Sequence, residues 1–372
     1  MFRFDFALGD DANDDNDNLL RIVPPALPGN PPLNSSSEPF RQLSLSHLLD
    51  TLPPLISSSP LVVPISSKNA PLILPRRDLF DARFQLISES NLDDTLLKFL
   101  DSPSDLVPGQ YEGGFKTWEC SLDVVDYLEN SNVIPSPVGK QVLEVRNSFI
   151  TCSVGCGTAV PSMYLLQRLF SSAVDTDKLP RTLFHLQDYN ASVLEYVTLP
   201  NLFLVWYMSP AGRRFHESLH QDVSLGGSNT LGPSIPCEVN ITPELKQAFL
   251  SALQERNISL CFFSGSWNQF NLEHVLDNAE KRTYDVVITS ETIYRTESLP
   301  SLINLLKLSC IGSNLTQTPY VCLVAAKVLY FGVGGGVNDF IQASKEQIGT
   351  SVETVWEHKE GIARKVLRII WS

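Results

Sequence analysis

The chain has 372 residues, 43% of them hydrophobic, and a formal net charge of −13. That length can bury one large core or two, while the acidic balance speaks against a general nucleic-acid binder, which presents a basic field, and suits a basic protein partner. Seven scattered cysteines without a Cys-x-x-Cys pair exclude a disulfide framework or zinc ribbon and point to a reducing compartment.

The first 75 residues read as a disordered tail. Asp10 to Asp17 is a charge run, and Pro and Ser dominate from Pro24 to Pro75; such composition buries too little apolar surface to offset chain entropy. The acidic N-terminus lacks the basic and apolar regions of a signal peptide, and no apolar run approaches the ~18 residues of a membrane helix. A cytosolic or nuclear protein without membrane association is expected.

A folded domain is expected over 76–372. Arg77 to Ile87 reads as a strand or extended arm. Ser121 to Asn130 has helical spacing in Leu122, Val125 and Leu128, with Ser121 as its cap. Strand material follows in Val142 to Val154, a helix in Val160 to Phe170, a strand in Thr182 to Gln187 ending at Asp188, and a short helix in Asn190 to Thr198. Residues 209–242 are polar and broken by glycine and proline, as in a surface insertion. Thr242 starts a helix to about Arg256, with Glu244 in its first turn. Strands at Ile258–Phe263, Tyr284–Thr289 and Tyr320–Ala326 alternate with helices at Leu299–Leu308 and Val337–Ile348. Val352–Glu357 and Lys365–Trp371 form a closing hairpin. Alternating strand and helix specify a mostly parallel, doubly wound sheet. Its ligand site lies at the carboxyl ends of the strands, where Gly155, Asp188, Gly265 and Ser290 fall.

Several features there carry chemistry. Gly155-Cys156-Gly157 is a turn into a helix, where missing Cβ atoms let backbone approach a ligand and the helix start offers unpaired N–H groups. Asp188 ends the second strand and suits ribose hydroxyls, although the 31 residues from Gly157 exceed the ~20 of the dinucleotide fingerprint; a helix-capping role is its structural alternative. Trp267, after the third strand, could cover an adenine. Trp118 could close over a cofactor, and Ser290 to Tyr294 would face a substrate. His216-Glu217-Ser218-Leu219-His220 spells a zinc-protease pattern, but it lies in the polar insertion without an obvious third ligand, so no metal is expected. Gly332-Val333-Gly334-Gly335-Gly336 lacks the Lys-Ser/Thr of a phosphate-binding loop and reads as a tight structural loop at the site's rim.

Taken in order, Tyr111 to Cys120 (Y-E-G-G-F-K-T-W-E-C), Gly155 to Thr158, Gln187 to Asn190, Val197 to Asn201, Phe263 to Trp267, Thr289 to Tyr294 and Tyr330 to Gly336 resemble the motifs of the histidine protein methyltransferases. The resemblance covers residues 76 to 372. It implies a seven-stranded, Rossmann-like methyltransferase sheet with a C-terminal antiparallel hairpin, and S-adenosylmethionine as cofactor. It implies methylation at the tele nitrogen of one histidine in large ribosomal subunit protein three, with roles in ribosome biogenesis and translation. The cofactor residues so implied are Trp118, Gly155, Cys156, Gly157, Asp188, Asn190, Gly265, Trp267 and Ser290. Ser290, Glu291 and Tyr294 fall to catalysis, with Lys116 and Tyr294 shaping the target pocket. A monomer without direct nucleic-acid contact is expected. The nucleophile would be a neutral imidazole, plentiful near pH 7, so the enzyme mainly aligns atoms and fixes the tautomer; Glu291, Ser290 or nearby backbone could accept the other ring N–H.

Two rival readings remain open. Glu291-Thr292-Ile293-Tyr294 also fits the acidic-x-x-aromatic motif of lysine methyltransferases on this fold. A non-catalytic assembly factor is the other, because the family pattern runs from V-L-E straight into the glycine turn. Here residues 146–154 intervene after Val142-Leu143-Glu144-Val145. Either Val142–Val145 or Phe149–Val154 can supply the first strand, and reduced cofactor affinity is expected in both cases.

Overall fold

The computed structural model describes residues 39–89, 114–145, 156–172, 179–219, 232–265, 272–276, 282–312, 319–330, 334–347 and 349–372. Its strands are β1 (Arg41–Leu43), β2 (Leu55–Val63), β3 (Leu72–Arg77), β4 (Gln141–Val145), β5 (Thr182–Asp188), β6 (Cys237–Asn240), β7 (Ile258–Ser264), β8 (Val286–Ser290), β9 (Val321–Lys327), β10 (Thr350–His358) and β11 (Arg364–Trp371). The main sheet has the order β1-β7-β5-β4-β8-β9-β11-β10. Strands β7, β5, β4, β8 and β9 run parallel. The closing hairpin is antiparallel, with β11 inserted between β9 and β10.

Every residue of β4, β5 and β8 is buried, which explains their near-continuous apolar sequence. Period-two alternation splits them between two cores. Val142, Val286 and Ile288 pack on one face, and Leu143, Val145 and Val287 on the other. The strand order reverses between β4 and β8, which is the switch point where an open α/β sheet leaves a crevice.

The α-helices of six or more residues are α1 (Leu45–Asp50), α2 (Leu79–Glu89), α3 (Glu119–Ser131), α4 (Val160–Ser171), α5 (Leu199–Tyr207), α6 (Pro210–Leu219), α7 (Pro243–Glu255), α8 (Leu299–Ile311) and α9 (Val337–Lys345). None among the described residues is long and apolar enough to cross a membrane.

Four expectations change. Among the described residues the main sheet has eight strands rather than seven, because β1 pairs antiparallel with β7. The tail expected over 1–75 is folded from Arg41 onward: β2 and β3 join β6 in a separate three-stranded sheet. Its alternate burial, with Ile56, Ser58, Leu61 and Val63 buried in β2, is what a proline- and serine-based reading overlooks. Residues 1–38 lie outside the described residues. Arg77 to Ile87 is not extended beyond Arg77. Instead α2 buries Ala82, Gln85 and Leu86 at helical spacing, and the Ala82 N–H donates to the Asp78 carbonyl at 3.1 Å. The expected insertion at 209–242 supplies α6 and the sheet strand β6.

At the disputed first strand, β4 is formed by Gln141–Val145. Residues 146–155 lie outside the described residues, Gly155 among them.

Candidate active site

The glycine turn docks on the end of β5. The Cys156 N–H donates to the Gln187 carbonyl at 2.7 Å, extending the pairing of β4 with β5. The Gly157 N–H donates to Asp188 Oδ2 at 3.0 Å, and Gly157 takes a left-handed φ of +55° that glycine adopts without strain. Pro161 then opens α4, where its missing N–H costs nothing. Glu144, at the end of β4, accepts the backbone N–H of Ser162 at 3.0 Å and also the Ser162 hydroxyl. A carboxylate at a helix start satisfies orphan donors and opposes the dipole.

The Val197 to Asn201 motif supports this turn from below. Pro200 cannot donate to the carbonyl of Tyr196, and its ring crowds it. The chain responds with a π turn, Leu194–Thr198, in which the Leu199 N–H reaches the Leu194 carbonyl. The released Tyr196 carbonyl accepts from Arg77 Nη1 at 2.8 Å. Thr198 donates its hydroxyl to the Gly157 carbonyl at 2.6 Å. Asn201 donates to the Thr158 carbonyl at 3.0 Å and accepts the Arg77 N–H at 2.8 Å, tying the turn to β3.

Asp188 is fully buried. Its second oxygen accepts the Asn190 N–H at 3.0 Å, so the carboxylate bridges the glycine turn and the start of the next helical segment. Asn190 stands half-exposed there without a side-chain capping bond. Gly265 completes this side. Its N–H donates to the carbonyls of Asp188 and Tyr189 at 3.2 and 3.0 Å. Its φ is +98°, and a Cβ there would meet the Pro39 carbonyl oxygen at 2.4 Å. The segment that leads into β1 therefore packs directly on the β7 turn, where Phe40 stacks on Phe263 at 5.6 Å and Arg41 donates to the Ser264 hydroxyl at 3.2 Å. Trp267 lies outside the described residues.

At the end of β8, Ser290, Glu291 and Tyr294 are all buried. Glu291 has a left-handed φ of +58°, and its N–H donates to the Ala325 carbonyl at 2.8 Å. The Tyr330 hydroxyl donates to Glu291 Oε2, while Oε1 meets no nitrogen or oxygen donor and the Cys120 thiol lies against the carboxylate. Gly335 packs on this turn, and its N–H donates to the Tyr294 carbonyl at 3.0 Å. A Cβ on Gly335 would lie 2.4 Å from the Tyr294 carbonyl carbon.

Trp118, half-exposed at the N-terminus of α3, carries the Lys327 ammonium 4.9 Å from its ring centroid, a cation–π pair. Two residues on, Cys120 sits against Glu291; burial and then the Glu291 charge push its thiol well above the usual range. Burial also raises Tyr330 and, despite a charge-assisted pair with Arg364 at 2.6 Å, Asp123. Ser121 does not cap α3, which begins at Glu119; the Ser121 hydroxyl donates back to the Trp118 carbonyl at 2.6 Å.

The strands thus bring Cys156, Gly157, Asp188, Asn190 and Gly265 into one hydrogen-bonded cluster, and Ser290, Glu291, Tyr294 and Trp118 into the neighbourhood of a second. Cys120, Lys327, Tyr330 and Thr198 were not singled out from the sequence as site residues, and Glu144 entered only through the V-L-E pattern before the glycine turn. Cys120, Tyr330 and Thr198 do stand in the quoted motifs, but their partners lie on other elements. His216 and Glu217 lie in α6, and His220 falls outside the described residues. Among the described residues no group of three or more His, Cys, Asp or Glu could hold a metal.

A parallel sheet wound in this order, closed by a reversed hairpin and carrying a glycine turn against an acidic strand end, is the Rossmann-like methyltransferase fold. No family model matches the chain. Similarity to characterised sequences is extensive. The chain is 32% identical over 333 residues to histidine protein methyltransferase 1 of Schizosaccharomyces pombe, covering 84% of each chain. It is 38% identical over 284 residues to the Saccharomyces cerevisiae protein of that name, covering 73% of this chain and 67% of the relative. Among solved structures, an rRNA methyltransferase, aviRa from Streptomyces viridochromogenes, overlays 75% of this chain and 94% of its own with 16% identity and a TM-score of 0.34. The chain belongs to the histidine protein methyltransferase 1 family.

Proposed function

We propose that this chain transfers a methyl group from S-adenosylmethionine to the tele nitrogen of a histidine in large ribosomal subunit protein three, and acts in ribosome biogenesis and translation. The observation that carries this reading is its similarity, over 84% of its length, to a relative named for protein-histidine methylation. The described residues suit the cofactor. Two backbone N–H donors orient the Asp188 carboxylate at the carboxyl end of its strand, where a ribose would bind. Gly157 leaves the backbone beside it without a side chain. Trp118, Gly155, Cys156, Asn190, Trp267 and Ser290 complete the proposed cofactor set.

Bound there, the cofactor supplies an electrophilic methyl group on a sulfonium. The protein's own tasks are to exclude water, to align the target ring and to hold its proton on one nitrogen. Ser290, Glu291 and Tyr294 take those tasks, and Lys116 stands at the edge of the target pocket. A neutral imidazole attacks without a strong base, because half or more of it is unprotonated above its ordinary pKa of about 6.5. An acidic chain of net charge −13 suits a basic substrate protein. We assign the protein to cytosol and nucleus as a monomer that touches neither nucleic acid nor membrane.

The test is transfer of labelled methyl from the cofactor to total large-subunit ribosomal proteins, separated after reaction. Label in protein three supports the proposal. Label confined to any other protein, or to none, contradicts it.

A further inference from the structure

Two unfavourable features coincide at Glu291. Its left-handed backbone, φ +58°, is a conformation that non-glycine residues keep where the surroundings enforce it, commonly at functional sites. Its side chain is fully buried, yet Oε1 meets no nitrogen or oxygen donor, and only the weak thiol donor of Cys120 lies against the carboxylate. Buried acceptors are nearly always met, and an exception calls for a role. The other oxygen is taken by Tyr330. The Tyr330 ring is itself fixed edge-on against Tyr294 at 5.9 Å, and its oxygen accepts the Lys327 backbone N–H at 3.2 Å. Burial holds the phenol protonated, so it remains a donor and Oε2 remains occupied. Charged and titratable groups around the carboxylate are Cys120 and Asp123 on α3, Lys327 at the end of β9, and Tyr330. The turn carrying half-exposed Lys116 and Trp118 leads directly into Cys120, which brings the cluster within one short turn of solvent.

We infer that Glu291 Oε1 accepts the pros N–H of the substrate imidazole, and that Tyr330 is a positioning residue that reserves this oxygen, so that the pair selects the tele nitrogen for methylation. This rests on the histidine reading above. With the proton held on the pros nitrogen, the lone pair sits on the tele nitrogen. A bond forms from that nitrogen to the methyl carbon as the carbon–sulfur bond breaks, and the bonding pair stays on sulfur. The ring, now an imidazolium, passes its pros proton to Oε1 and from there to water. A pocket without the carboxylate leaves both neutral tautomers available, and regiochemistry is lost.

The test uses full-length wild type, Tyr330→Phe and Glu291→Gln with purified large ribosomal subunit protein three. Products are hydrolysed, and tele- and pros-methylhistidine are separated by chromatography; cofactor affinity is measured by calorimetry as a check on folding. Wild type is expected to give the tele isomer. Tyr330→Phe is expected to lower kcat about tenfold, the loss of one charge-assisted hydrogen bond, to leave the KM for the cofactor unchanged, and to yield pros product as well. Glu291→Gln, whose amide both donates and accepts, is expected to give a mixture of isomers. Should the glutamine variant not fold, Tyr330→Phe alone decides. Tele-only product at wild-type kcat from Tyr330→Phe overturns the inference alone. Methylation of lysine only by the wild type overturns the histidine reading and this inference with it.

Discussion

Glu144 accepts both the backbone N–H and the hydroxyl of Ser162, clamping the end of β4 to the first turn of α4. The clamp spans the connection that contains residues 146–154. It accounts for a glycine turn that stays docked on β5 although extra chain precedes it. Replacing Glu144 with Ala leaves two Ser162 donors unmet beside a buried strand. Hydrogen bonds to charged groups contribute ~1.5–3 kcal/mol each, so urea unfolding is expected to show a loss of about 3 kcal/mol.

Deleting residues 146–154 shortens the link between Val145 and Cys156 by about three doublings of length, which corresponds to ~2 kcal/mol of closure entropy. The shortened chain is expected to unfold at higher urea concentration and to bind S-adenosylhomocysteine more tightly in calorimetry. Equal stability and equal affinity would show that the extra residues are neutral.

Asp188→Asn places an amide NH2 where one oxygen now accepts the N–H of Gly157 or Asn190. Donor then faces donor, and the buried site loses an acceptor and its charge. Cofactor affinity is expected to fall at least tenfold, equivalent to ~1.4 kcal/mol, and stability by ~1–3 kcal/mol for an unmet buried donor. Calorimetry and urea unfolding measure the two separately.

Much of the parallel sheet was legible in the sequence because its strands are buried on both faces and flanked by turn residues. Asp188 and Ser290 stand at the carboxyl ends of β5 and β8, and Gly265 directly follows β7, as the alternation of strand and helix predicts. What sequence reading missed are non-local effects. β2 alternates around Pro60 and three serines, and its pairing with β3 and β6 cannot be read from composition. Thr198 matters because Pro200 opens a π turn that brings it to Gly157. Tyr330 and Cys120 meet Glu291 across elements far apart in the chain, and no local spacing announces such a meeting.

His185 gives a pH signature of the sheet itself. It is buried in β5 with Nδ1 2.6 Å from the Tyr284 hydroxyl, and burial lowers its pKa from 6.5 to about 3. The unfolded chain binds a proton that the folded chain refuses. Its stabilising contribution is therefore complete above pH 6.5 and is lost as pH falls toward 3, with a slope of up to ~1.4 kcal/mol per pH unit. Unfolding free energies of His185→Gln are expected to fall less steeply over this window than those of wild type, and identical slopes would contradict the assignment.

The most direct measurement is the identity of the residue that receives the methyl group. Large ribosomal subunit protein three is incubated with the purified chain and labelled S-adenosylmethionine, digested, and sequenced by tandem mass spectrometry. The account predicts label on a single histidine, recovered after hydrolysis as the tele isomer. Label found only on lysine would contradict it.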